Sequence, residues 1–300
     1  MNVSEFKIKE QICDIGRRLY AKGFAAANDG NITYRLNDKE ILCTPTMVSK
    51  GFLKPEDICK VDYEGKQLAG SRKRTSEVLL HLAVYKNRPD INSVVHCHPP
   101  HATAFAVAHE PIPKCVLPEV EVFLGEVPIA KYATPGDQRL PNTIIPYVKD
   151  CNTILLANHG TVSWGTTVEL AYFNTEIIDA YCKILLLAKQ LGRINYFSET
   201  DNAELMEFKK RIKIDDPRIH IKDCEVCGPS IFNESYSDFV PEPYAFQRDG
   251  QVPTAYVAEH AEAACECKPA SKPQVQVKDM DELVRIVTEK VMAALAESKA

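Results

Sequence analysis

The sequence predicts an α/β fold in which antiparallel strand pairing dominates the first half. Three observations carry this expectation: a helix-periodic apolar stripe at the start, short β-like runs punctuated by Asn, Asp and Gly, and a long apolar-rich stretch over 167–191. The 300 residues are 45% hydrophobic, enough for one sizeable core, so one main domain with an appendage is expected.

Residues 4–22 place Ile8, Ile12, Ile15 and Leu19 at helical spacing behind a Ser4 cap, and Gly23 suits the position after the last turn. A small polar loop, Ala25-Ala-Ala-Asn28-Asp29-Gly30-Asn31, then precedes a strand at 32–36. Its glycine lets backbone N–H groups approach a ligand, so the loop can hold an anion, although an ordinary helix-to-strand turn uses the same residues. Asn37-Asp38 reads as a hairpin turn into a strand at 40–44, Thr44-Pro45-Thr46-Met47 follows, and another strand covers 58–63 before Glu64-Gly65. A basic run at 72–74 leads to Thr75-Ser76-Glu77 and a helix marked by Val78, Leu82 and Tyr85 that ends near Arg88-Pro89. Thr75 or Ser76 is expected to cap that helix, and a hydroxyl-bearing helix start also suits a phosphate.

The stretch SVVHCHPPHATAF at 93–105 is the one around which the chain is organised. Val94 and Val95 deliver His96 and His98 at i, i+2, so both rings leave one face of a strand, and Pro99-Pro100 ends the strand at once. Two imidazoles so placed can share a cation with an open coordination position, while an H-x-H strand can equally carry two partly buried histidines. After a short helix at 102–108, Pro111, Pro113 and Pro118 mark an irregular crossing segment through Leu117-Pro-Glu119-Val-Glu121. Buried strands are expected at 127–130 and 153–157, around a helix near 137–149. Asn158-His159-Gly160 then puts a third histidine at a strand end, before a tight turn, and completes a three-histidine set. The helix over 167–191 buries Ala171, Ile178, Cys182, Leu185 and Leu186 and reads as core.

The net charge of −5 and the absence of a long Lys/Arg run give no footprint for nucleic acid or an anionic membrane. The opening MNVSEFKIKEQ has no apolar leader core and no run approaches the ~20 apolar residues of a membrane span, so a cytoplasmic protein is expected. Eleven scattered cysteines then read as reduced thiols; Cys224/Cys227 and Cys265/Cys267 could hold a structural metal but lack a defined second half. Another helix is expected at 202–213, and a loop-rich covering segment over 215–262. Residues 263–278 have a linker composition, and 279–300 carry an amphipathic helix with Leu283, Ile286, Val287, Val291 and Leu295 on one side.

Taken together, Asn28-Asp-Gly-Asn31, Thr44-Pro-Thr46, Thr75-Ser-Glu77, His96-Cys-His98 and Asn158-His-Gly160 resemble the class II aldolase/adducin family, most closely its L-fuculose-1-phosphate aldolase-like members. The resemblance covers about residues 5–215, with 1–214 as the catalytic domain. It implies a central, mostly antiparallel sheet flanked by helices in three layers, and a homotetramer with active sites between subunits. It implies Zn2+, or another divalent metal, on His96, His98 and His159 with Glu77 beside it, Glu77 being the proton-transferring carboxylate. Asn28, Gly30, Asn31, Thr46, Thr75 and Ser76 would surround the phosphate of a phosphorylated sugar. The implied reaction is cleavage of a fuculose- or rhamnulose-1-phosphate to dihydroxyacetone phosphate and lactaldehyde. A sugar-acid phosphate decarboxylase or epimerase is the alternative within the family, and a non-catalytic adducin-like scaffold the alternative outside enzymology. Where fuculose-phosphate aldolases place a tyrosine this chain has Leu117, with Glu119 as a candidate additional acid, and Met47 stands where a glycine is usual. Tyr236 and Tyr244 are the candidates for the family's C-terminal tyrosine. The tail over 279–297 resembles the encapsulation peptides of enzymes packed in bacterial microcompartments, which implies shell proteins as partners and the microcompartment lumen as location.

Overall fold

In the computed structural model of the chain, residues 4–214 are the described ones. Eight strands form one sheet: β1 (Asn31–Arg35), β2 (Ile41–Cys43), β3 (Cys59–Val61), β4 (Gln67–Ala69), β5 (Ser93–Cys97), β6 (Ile129–Ala130), β7 (Thr153–Leu156) and β8 (Gly160–Gly165). Their order is β4-β3-β2-β1-β5-β8-β7-β6, and every neighbouring pair is antiparallel except β6 with β7. The mostly antiparallel α/β expectation is met.

Helices cover both faces: α1 (Glu5–Ala21), α2 (Val78–Asn87), α3 (Pro100–Ala108), α4 (Pro118–Phe123), α5 (Arg139–Ile144), α6 (Val168–Gln190) and α7 (Glu199–Arg211). Because side chains alternate across a strand, Ile41, Val94, Ile154 and Trp164 join α2 and α5 in one core, whereas Ile32, Leu42 and Val95 join α1 and the start of α6 in another. A third cluster seats α3, α4 and α6 on Leu155 and Ala157. The three layers are thus α2 with α5, the sheet, and α1, α3, α4 and α6 on the other face. Ser4 caps α1 as read, its hydroxyl accepting from Lys7 N, and Thr167 does the same for α6 through Leu170 N. No helix among the described residues is long and apolar enough to cross a membrane.

Four local expectations are corrected. The segment after His159 is not a tight turn: His159 lies in the turn itself, and the next six residues are β8, a central strand buried along its length. Two glycines and two hydroxyl residues hide that strand from a hydrophobicity reading. The crossing segment holds a helix, with Pro118 in its first turn, where a proline's missing N–H costs nothing. Neither Thr75 nor Ser76 occupies the N-cap of α2; Glu77 does, and Thr75 Oγ1 accepts instead from Glu77 N at 3.3 Å. Finally, Cys13, Cys43, Cys59, Cys97, Cys151 and Cys182 are free buried thiols, but Cys115 is disulfide-bonded. The covering segment, linker, tail helix, Tyr236, Tyr244 and the cysteines at 224, 227, 265 and 267 lie outside the described residues.

Candidate metal centre and anion pocket

Two strands and one helix assemble the centre. Asn31 on β1 and His96 on β5 are cross-strand partners, and both side chains reach the face covered by α2. From the start of α2, Glu77, His81 and Tyr85 recur at i, i+4 and i+8 and therefore share one helix stripe. That stripe meets Asn31 and Thr33, two residues apart on β1.

The contact is a continuous hydrogen-bond chain. Asn31 Nδ2 donates to Glu77 Oε2 at 2.9 Å, which fixes the amide so that its Oδ1 must accept, and His81 Nε2 donates to it. His81 Nδ1 is then the acceptor, 2.8 Å from the Thr33 hydroxyl, which lies 2.8 Å from the Tyr85 hydroxyl. Burial drives the His81 pKa down to about 3, so the ring is neutral, as this chain requires.

The three expected histidines converge. His98 lies just past the end of β5, yet its ring centroid is 5.2 Å from that of His96 and 5.1 Å from that of His159, with 4.7 Å between His96 and His159. One donor nitrogen from each lies within 4.8 Å of the others. His96 Nδ1 donates to the Thr161 carbonyl at 2.8 Å, which turns Nε2 toward the centre. Nε2 of His96, Nε2 of His98 and Nδ1 of His159 are buried without a hydrogen-bond partner. Buried polar atoms are rarely left so, and three rings that each bring one nitrogen within 4.8 Å of the others fit one divalent cation. Glu77 lies alongside, 3.4 Å from His96 Nε2 and 3.4 Å from His159 Nε2.

Electrostatics agree with this fit. Burial, aided by His96, lowers His159 to about 3, and burial also lowers His98, so both rings offer a lone pair. For His96 burial acts to lower the pKa, but the Glu77 carboxylate outweighs it and the pKa is raised. For Glu77 burial acts to raise the pKa, but His96, His159 and the Asn31 amide prevail and hold the carboxyl well below the usual range. Gly160 explains the third motif sterically. A Cβ there would lie 2.5 Å from His98 Cδ2 and 2.6 Å from the Cys97 carbonyl oxygen, so the His98 ring occupies space only glycine leaves.

Beside the histidines opens a cavity of about 140 Å³. All six expected phosphate residues, Asn28, Gly30, Asn31, Thr46, Thr75 and Ser76, line it, as do Glu77 and His98. Gly30 sits at φ 73°, where its N–H can turn inward at no steric cost. Met47 holds the left-handed conformation at φ 56° that glycine favours, and its sulfur accepts from Asn28 Nδ2 at 3.6 Å. Larger cavities of about 800 and 500 Å³ lie on α7 and between α1 and the start of α6, away from the histidines. Glu119 is exposed in the first turn of α4 and does not line the pocket, so this chain alone does not bring the candidate acid to the centre. Thr33, His81 and the pocket-lining Lys50 are the polar residues that the sequence reading missed, and it took Tyr85 only as part of an apolar stripe; the i, i+4, i+8 spacing from Glu77 was the available signal for His81 and Tyr85.

Residues 10–186 match the class II aldolase and adducin N-terminal domain, and the chain belongs to that family. Among its relatives are lyases of two kinds. It is 35% identical to an L-fuculose phosphate aldolase of Methanococcus maripaludis, over 64% of this chain and 99% of the relative. It is 32% identical to a 3-oxo-tetronate 4-phosphate decarboxylase of Escherichia coli K12, over 67% of this chain and 96% of the relative. A solved L-fuculose 1-phosphate aldolase aligns with a TM-score of 0.63 at 26% identity, covering 69% of this chain and 97% of that one.

Proposed function

We propose that the protein is a metal-dependent aldolase that cleaves a deoxy-ketose 1-phosphate of the fuculose or rhamnulose type to dihydroxyacetone phosphate and lactaldehyde. The observation that carries this reading is Glu77, an ionised, oriented carboxylate 3.4 Å from two of the three histidines and at the edge of the polar pocket. A divalent cation, zinc or a similar ion, on His96, His98 and His159 would supply the positive charge that stabilises negative charge developing on the substrate oxygens. Asn28, Gly30, Asn31, Thr46, Thr75 and Ser76 would hold the phosphate, so that binding at the unreactive end orients the reacting carbon. Glu77, kept deprotonated, is suited to take a carbon-bound proton from dihydroxyacetone phosphate and to return it in the cleavage direction. A homotetramer belongs to this reading, because among the described residues neither Glu119 nor a tyrosine lines the pocket to serve as the acid for the aldehyde oxygen.

A decarboxylase of a 3-oxo sugar-acid phosphate is the second reading, and Leu117 favours it. Leu117 holds the N-cap position of α4 where fuculose-phosphate aldolases carry a tyrosine, and decarboxylation needs no acid for an aldehyde oxygen. The scaffold reading is disfavoured by the cost of orphaning three imidazole nitrogens and burying a carboxylate without a use for them. Solvent exchange separates the readings. With dihydroxyacetone phosphate alone, the aldolase exchanges a carbon-bound proton with solvent, and Glu77→Gln should slow this by about 10²–10⁴ while retaining metal. No exchange, together with release of carbon dioxide from a sugar-acid phosphate, moves the assignment to decarboxylase.

The proposal extends to the tail over 279–297 as a docking segment for microcompartment shell proteins, with the microcompartment lumen as location; the apolar stripe of Leu283, Ile286, Val287, Val291 and Leu295 in the sequence supports this reading. Truncation after Lys268 should leave turnover unchanged and end co-purification with shell proteins. Loss of activity on truncation would mean that the tail serves the enzyme's own assembly.

A further inference from the structure

Lys50 is the charged residue that the proposed chemistry leaves unused. It is 1% exposed and opens a short 3-10 turn, Lys50–Phe52. Its Nζ donates to the Asn28 carbonyl at 2.8 Å and to the Val48 carbonyl at 2.7 Å. Those carbonyls belong to the two loops that wall the anion pocket, one carrying Asn28 and Gly30, the other Thr46 and Met47. Lys50 itself lines the cavity.

Two features make this more than a tie between loops. An ammonium has three protons, and the two carbonyls use two. Two carbonyls can be held by any neutral donor, whereas burying a full charge is expensive unless an opposite charge repays it. Among the described residues that line the cavity, Lys50 is the one fixed cation, and the other formal charges there are the carboxylates of Asp29 and Glu77. An acidic pocket lined with amides and hydroxyls would repel a phosphate dianion at its sugar-remote end. A lysine beneath the two loops offsets that repulsion where the cation held by the histidines is not the nearest group.

We propose that Lys50 is the anion-selecting residue of this pocket: its ammonium binds and neutralises the phosphate of the substrate while clamping the two loops, which restricts the enzyme to phosphate monoesters over neutral sugars. This rests on the reading of the pocket as a phosphate site but not on which bond the enzyme breaks.

The test is calorimetric titration with sulfate, a dianion throughout the working range, on metal-loaded wild type, Lys50→Gln and Lys50→Met. Glutamine keeps a neutral donor for the carbonyls and removes the charge; methionine removes both. Both variants should bind sulfate at least about tenfold more weakly, the loss expected for one charge-assisted contact, with metal content unchanged. In the exchange reaction, KM for dihydroxyacetone phosphate should rise by the same factor in Lys50→Gln while kcat stays within a few-fold. The wild type adds a readout that needs no variant. Burial lowers Lys50 to about 8 against the opposing pull of Asp29 and Glu77, so sulfate affinity should fall as pH rises through that value and stay flat in Lys50→Gln.

If Lys50→Gln binds sulfate like wild type while Lys50→Met does not, Lys50 is only a clamp and the proposal is overturned, as it is if neither variant weakens binding. Should both variants fail to fold, wild-type affinity that holds constant across that pH range overturns it alone. A wild type that binds no sulfate removes both this inference and the phosphate pocket. Charge-dependent sulfate binding without proton exchange leaves Lys50 in place and discards only the aldolase reading.

Discussion

Gly160→Ala is expected to empty the metal centre and to destabilise the domain by about 3 kcal/mol, the upper end of overpacking costs. The added methyl would sit 2.6 Å from the Cys97 carbonyl oxygen and 2.5 Å from His98 Cδ2. The carbonyl cannot retreat, because β5 is held between β1 and β8 by ladders on both sides. The His98 ring can turn away, but then one of the three nitrogens leaves the cluster. Metal analysis and a thermal melt check this: less than stoichiometric metal and a midpoint several degrees lower are the expected result. A variant that keeps full metal and the wild-type midpoint would show that the strand yields and that the glycine is incidental.

The second large effect is expected at His81. Replacing it with leucine conserves approximate bulk but leaves the Asn31 side-chain oxygen Oδ1 buried without a partner, at about 1–3 kcal/mol, and leaves the Thr33 hydroxyl with Tyr85 alone. Asn31 would then be free to turn, and Glu77 would lose the amide that orients it at 2.9 Å. Proton exchange should therefore fall steeply in His81→Leu while metal content holds, since His81 is not among the clustered donors. Tyr85→Phe, at the far end of the chain of bonds, should cost only about 1 kcal/mol and spare most of the exchange. Because His81 stays neutral down to about pH 3, the wild-type pH profile should contain no step from this residue. Equal loss of metal and exchange in His81→Leu would instead mean that the site collapses as a whole.

Much of this centre could be read in the sequence because its parts obey local periodicities. His96 lies in the buried run of β5 and His98 continues its two-residue repeat just past the strand, and Glu77 stands where the helix reading put a capping segment. The opening helix with its Ser4 cap and the Thr167–Leu170 start of the long helix also follow local rules of hydrogen bonding, and the structure keeps them. What escaped was of two kinds. β8 was missed because Gly160, Thr161, Ser163 and Gly165 lack apolar bulk; they form a strand because β5 and β7 supply ladders on both sides, which no local propensity reports. His81 and Lys50 were missed because a histidine in an apolar helix and a lysine in a turn carry no sign of their partners.

By itself the sequence determined the α/β class with its antiparallel first half, the limits of the opening and the long helix, and the His96 and His98 pair, since each depends on residues within a turn or a strand of one another; it was the family resemblance that joined His159 and Glu77 to that pair at one site. Only the tertiary structure decided that β1 and β5 lie side by side, that the stripe of α2 meets Asn31 and Thr33, and that Lys50 reaches the carbonyls of two loops. Apart from Lys50 to Val48, two residues away, those contacts join residues 22 to 65 positions apart, and their partners are chosen by burial, where an unpaired donor or acceptor is costly and a neighbour must be found.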